Sequence, residues 1–203
     1  MDLMPTSSQT LNCRGRLLSL AQPLIMGILN LTPDSFSDGG QHNSQDAALR
    51  HTESMLEAGA DIIDIGGYSS RPGAEDISPK RELERIYDIV GAIIDRFPEA
   101  ILSLDTFRAS VAEARLERGV HLINDISGGL FDPAMLATVA RFDAPYILMH
   151  IQGTPQTMQQ SPTYEDVVRE VLDHLITRLQ AAQDAGIKDL VIDPGFGFGK
   201  TLN

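Results

Sequence analysis

Gly119-Val120-His121-Leu122-Ile123-Asn124-Asp125-Ile126-Ser127 is the stretch on which the fold turns. It follows Glu117-Arg118, so Gly119 stands where a helix would end with a left-handed residue that reverses the chain. A short apolar run, His121–Ile126, comes next and is broken by the polar pair Asn124-Asp125. The same order recurs at Gly59–Gly66 and Gly186–Gly195, a degenerate repeat of helix end, glycine, buried strand and polar terminus. Six such runs are present: Leu24–Leu31, Asp61–Gly66, Ile101–Asp105, His121–Ile126, Pro145–His150 and Leu190–Asp193. Their nearly continuous apolar content suits parallel strands covered on both faces.

Helical periods fill the gaps. Ser78-Pro79 supplies a cap and a first-turn proline ahead of Leu83, Ile86, Tyr87, Val90, Ile93, Ile94 and Phe97. Thr163, with Asp166 three residues on, predicts the start of the helix that carries Val168, Val171, Leu172, Leu175, Leu179 and Ala182. Ahead of the repeat, residues 1–10 read as a mobile tail and Leu11–Leu20 as a hairpin or extended lead-in. The predicted domain is therefore 11–203.

Alternating β and α units fit either an open doubly wound sheet or a (β/α)8 TIM barrel. Every run ends in a polar residue or a glycine turn: Asn30, Gly66-Gly67, Asp105, Asn124-Asp125, His150 and Asp193. A barrel puts all these ends on one functional rim, whereas an open sheet uses only those beside its switch point. The barrel is the expected α/β fold, and six of its eight modules are accounted for. At about 30 residues per module, the expectation is a chain incomplete at its C-terminus by two modules.

Composition narrows the function. The 203 residues carry a formal net charge of −12, which disfavours nucleic acid and anionic membranes as partners. No apolar run approaches the roughly 18 residues of a membrane span, and no signal peptide is visible. One cysteine, Cys13, allows no intrachain disulfide, so a cytoplasmic protein is expected. Gly195-Phe196-Gly197-Phe198-Gly199-Lys200-Thr201 imitates a phosphate-binding loop, but Pro194 occupies the position of its first glycine. His42, His51, His121, His150 and His174 have no zinc-ligand spacing, and His150 at a strand end has a structural reading as good as a functional one. Asp105, Asn124 and Asp193 remain. Two carboxylates and a carboxamide in an apolar barrel mouth suit a flat heterocycle with several N–H donors. The long segments Thr32–Ser44 and Gly66–Ser78 have the length of lids, and the second holds Arg71 within reach of an anion.

Met26-Gly27-Ile28-Leu29-Asn30-Leu31-Thr32-Pro33-Asp34-Ser35-Phe36-Ser37-Asp38-Gly39-Gly40 resembles the first signature of the dihydropteroate synthase family. Asp64-Ile65-Gly66-Gly67-Tyr68-Ser69-Ser70-Arg71-Pro72-Gly73 is similar to the second. Ser103–Thr106, Ile123–Asp125, Met149–Pro155 and Asp193–Lys200 continue the pattern in order. The resemblance implies a TIM-barrel transferase of folate biosynthesis, a homodimer and sulfonamide target. Its reaction joins 6-hydroxymethyl-7,8-dihydropterin diphosphate to p-aminobenzoate, giving 7,8-dihydropteroate and pyrophosphate. It also implies roles: Asp105, Asn124 and Asp193 on the pterin edge, Met149 and Phe198 on its faces, and Lys200 in the substrate-binding glycine loop. Asn30 would assist Mg²⁺. Asp38 and Arg71 would serve catalysis, Ser70 the phosphate or pterin, and Phe36 and Pro72 the p-aminobenzoate pocket. Tyr68 stands where most members carry glutamate, and Ser70 where threonine is usual; the later lysine and Arg-x-His of the family have no counterpart through Asn203. Two other readings are kept: a methyltetrahydrofolate-type methyltransferase barrel, which lacks the diphosphate loops, and a non-catalytic truncated chain.

Overall fold

A computed structural model of the chain describes residues 9–32, 40–69 and 75–201. It opens with a hairpin, β1 (Thr10–Cys13) and β2 (Arg16–Ser19), paired antiparallel from Thr10↔Ser19 to Cys13↔Arg16. Arg14 and Gly15 form the turn at φ +56° and +86°, the doubly positive geometry that matches strand twist. Thr10, expected in the tail of residues 1–10, belongs to this hairpin; positions 1–8 lie outside the described residues.

Six parallel strands follow: β3 (Met26–Asn30), β4 (Ile62–Gly66), β5 (Ile101–Asp105), β6 (Leu122–Asp125), β7 (Tyr146–Met149) and β8 (Leu190–Asp193). Between them run α1 (Gly40–Glu57), α2 (Pro79–Arg96), α3 (Ala109–Arg118), α4 (Met135–Arg141) and α5 (Val167–Asp184). Spatial order equals chain order from β3 to β8, without the reversal that creates a switch point in an open sheet. That is the winding of a barrel wall, and all six expected strands are present.

Adjacent residues of one strand serve different cores, as the period of two requires. Ile63, Ile65, Leu102, Leu104, Ile123, Tyr146 and Leu148 pack outward among the helices. Ile62, Ile101, Leu122 and Ile147 pack inward with Leu11 and Cys13, so the hairpin plugs the end of the sheet opposite the strand C-termini. The two outermost described strands leave Ile28 on β3 and Ile192 on β8 exposed.

Ser78 caps α2 as expected, its hydroxyl accepting from Arg81 N at 3.2 Å. The α5 start requires a correction: the cap is Asp166, not Thr163. Asp166 Oδ1 accepts from Arg169 N at 3.1 Å, while Glu170 Oε1 reaches back to the Asp166 and Glu165 amides. The acidic pair satisfies more orphan amides than a threonine three residues upstream. Gly59, Gly119 and Gly186 close their helices at φ +98°, +125° and +97°, the left-handed turns expected of them.

Candidate active site at the strand C-termini

Register assembles the site. Asn30, Gly66, Asp105 and Asn124 are successive partners across β3, β4, β5 and β6, one row on the rim. On β7 and β8 the rim lies two residues further along, where Met149 pairs with Asp193. This stagger is the shear by which a barrel wall tilts its strands. Gly66 keeps the row open: a Cβ there would sit 3.3 Å from Asn30 Oδ1 and 3.5 Å from Asp105 Oδ2.

Below the row lies a carboxylate that the sequence reading passed over. Asp64, two residues before Gly66 and hence on the same face, is buried and accepts from Asn124 Nδ2 at 2.9 Å. Its Oδ1 and the neighbouring Ser103 Oγ have no hydrogen-bond partner of normal geometry among the described residues. Burial pushes the Asp64 pKa up, and the Ser103 and Asn124 dipoles offset part of that rise. Ser103 is the register partner of Asp64 but makes no hydrogen bond of normal geometry with it, so it acts only as a nearby dipole. Asp105 is pushed well above the usual carboxylate range, first by burial and then by repulsion from Asp64, Glu82 and Asp125. This is a site poised to accept N–H donors, because such donors would relieve the crowding of negative charge.

Asp125, next to Asn124, faces the other way. It accepts from Ser127 N, Ser127 Oγ, Gly129 N and Tyr146 Oη at 2.6–2.9 Å, which ties down the turn after β6. Beside Asp105, Glu82 receives Thr106 Oγ1 at 2.7 Å and Arg108 Nη1 at 2.6 Å.

The far side of the rim is apolar. Met149 packs with Ile126, Ile151 and Met158, and Phe107, Phe131 and Phe198 lie against them, so Met149 and Phe198 share one cluster. Asp193 Oδ1 accepts from Gly195 N at 2.7 Å. Lys200, expected in the substrate-binding glycine loop, lies in that loop and bonds within it. Its ammonium donates to the carbonyls of Gly195 (2.9 Å) and Phe198 (3.1 Å) and lies 2.9 Å from His150 Nδ1. A substrate contact by Lys200 would have to displace these acceptors. Burial, then the Lys200 charge, then His174 lower the His150 pKa to about 4, so its ring is neutral and accepts.

Tyr68 anchors the start of the segment after β4. Its hydroxyl donates to Asp76 Oδ1 at 3.2 Å and receives Gln156 Nε2, while the Arg108 guanidinium lies 4.9 Å from its ring centre. Phe36, Asp38, Ser70, Arg71 and Pro72 lie outside the described residues. Asp64 and Gln156 escaped the sequence reading. A charged residue within the five-residue buried strand Ile62–Gly66 was the available signal for the first; nothing local marked the second.

A profile of the pterin-binding enzymes matches residues 26–203. Dihydropteroate synthase of Escherichia coli (strain K12) is 47% identical over 192 residues, which are 94% of this chain and 67% of that protein. The chain belongs to the dihydropteroate synthase family. Among solved structures of dihydropteroate synthases, the Xanthomonas albilineans enzyme with 4-aminobenzoic acid superposes with a TM-score of 0.87 at 43% identity, covering 96% of this chain and 69% of that one. The Yersinia pestis dihydropteroate synthase in complex with a sulfonamide drug gives 0.87 at 46% identity, with coverage of 96% and 70%. Those likenesses extend the six-stranded wall to a TIM-barrel family. No described helix is long and apolar enough to cross a membrane.

Proposed function

We propose that the rim of this barrel wall binds 6-hydroxymethyl-7,8-dihydropterin diphosphate and joins it to p-aminobenzoate, with residues 11–203 as the pterin-binding unit. The reading rests on one observation: Asp105 and Asn124 are register neighbours, with Asp193 beside the Met149 and Phe198 apolar surface. Acceptors along one edge and an apolar surface beside them suit a flat ring whose edge is rich in N–H groups. In this assignment Asp105, Asn124 and Asp193 take the pterin edge, and Met149 and Phe198 take its faces.

The bond from the pterin methylene to the diphosphate oxygen breaks first, its electron pair leaving with pyrophosphate. The arylamine nitrogen then donates its lone pair to the methylene carbon and sheds a proton. Asp38 is assigned to the developing cation and Arg71 to the departing phosphate, with Ser70 on the phosphate and Phe36 and Pro72 on the arylamine. Acceptors fixed in a dry site favour such charge separation.

No group of three or more His, Cys, Asp or Glu that could hold a metal occurs among the described residues. The Asn30 carboxamide, standing over the gap left by Gly66, nevertheless fits a cation that takes one protein oxygen and fills its shell with water and phosphate. Mg²⁺ held by Asn30 would neutralise diphosphate charge in a protein of net charge −12. A homodimer and a cytoplasmic setting complete the proposal on the strength of family membership.

Calorimetric titration with dihydropterin diphosphate tests it. Wild type should bind, and Asp193→Asn should weaken binding at least tenfold, because a carboxamide cannot accept from two adjacent donors. Equal affinity in both overturns the pterin assignment.

A further inference from the structure

Asp64 has no described ion-pair partner, yet it lies in a wholly buried strand where a charge is costly. Its neighbours in the same cross-strand row, Ile28 on β3 and Leu122 two strands away through Ser103, are apolar. Its one hydrogen bond of normal geometry among the described residues is to Asn124, and that bond runs from β4 to β6 with β5 between them.

The Asn124 carboxamide turns its nitrogen, not its oxygen, toward Asp64, and the ionised carboxylate, which only accepts, holds it that way. A carboxamide has a near twofold shape, and its two orientations differ only in which end donates. Resting on the pterin reading above, we propose that Asp64 is a positioning residue that locks the Asn124 carboxamide in one orientation. The remaining Nδ2 proton and Oδ1 are thereby offered to the ligand as a donor and an acceptor in fixed order. The discrimination is for heterocycles whose edge carries the complementary order, since a flipped amide would set donor against donor. Asn124 takes Oδ2 of this carboxylate, while Ser103, its register partner, stands beside it as the other side-chain dipole without claiming Oδ2.

The Asp64→Asn variant keeps the shape but can offer Asn124 either a donor or an acceptor, so the lock is lost. Calorimetry on the 203-residue chain should show the Kd for dihydropterin diphosphate raised about tenfold, with the thermal midpoint unchanged or higher. A merely structural Asp64 would instead lower the midpoint and leave the Kd of the folded fraction alone, which overturns the proposal. A second readout needs no variant. In wild type, the Asn124 side-chain amide protons should exchange far more slowly than those of an exposed asparagine; free exchange also overturns the proposal. If Asp64→Asn fails to fold, this exchange decides. If wild type binds no dihydropterin diphosphate, the pterin reading itself falls and carries the specificity claim with it, whether or not the amide is protected.

Discussion

Lys200 Nζ stands 2.9 Å from His150 Nδ1, an ammonium donating to a neutral imidazole where β7 meets the loop after β8. The same ammonium also holds the carbonyls of Gly195 and Phe198. The loop that mimics a phosphate-binding sequence is thus closed on itself by its own lysine.

Lys200→Met should therefore loosen that loop. These acceptors lose their shared cation, and the expected cost is about 1–2 kcal/mol in urea unfolding at pH 7. Unchanged stability with weakened dihydropterin diphosphate binding would place Lys200 at the substrate instead.

Two histidines accept hydrogen bonds that protonation would break. His150 Nδ1 faces Lys200, and His121 Nδ1 takes the Leu102 amide at 3.1 Å. Burial first, then nearby cations, lower both pKa values to about 4. Between pH 6.5 and about 4 the unfolded rings bind protons that the folded ones refuse. Their contribution is present above pH 6.5 and is lost as pH falls toward 4. Urea midpoints of wild type should drop through this window more than those of a His121→Asn, His150→Asn double variant. Parallel curves would refute the assignment.

Asp105→Asn separates binding from stability. The Asp105 carboxyl is raised by burial and by three neighbouring carboxylates, so ionising it opposes folding. Near pH 3.8 the variant should match wild type. As pH rises toward the folded pKa it should gain stability, read as a higher Tm than wild type, while losing pterin affinity. A lower midpoint at pH 7 would contradict this.

Gly195→Ala tests how closely the loop after β8 approaches β7. A Cβ at Gly195 would lie 2.2 Å from the His150 carbonyl oxygen, and the backbone sits at φ +68°. Chain displacement and left-handed strain together should cost about 3 kcal/mol or more. Calorimetric unfolding within 1 °C of wild type would show that the backbone yields freely there.

Strand positions were legible because apolar runs ended in glycine or polar residues, and register then put Asn30, Asp105 and Asn124 in one row. Asp64 was not legible as part of the site. Its importance depends on a bond from β4 to β6, and cross-strand distances are set by barrel curvature rather than by local pattern. The partners of Lys200 were not legible for a related reason: a long flexible side chain takes whichever acceptors the folded loop offers. Thr163 and Asp166 compete for one helix end, and the acid prevails because Glu170 sits one turn on to complete the cap.

The plug formed by the β1–β2 hairpin gives the molecule a chemical clock. Cys13, the chain's one cysteine, is completely buried beneath the sheet, and burial, with Asp189 next, raises its thiol to about 11. Alkylation must wait for the hairpin to swing away. The rate of iodoacetamide capture in native conditions therefore times the opening of the barrel floor, independently of anything bound at the opposite rim.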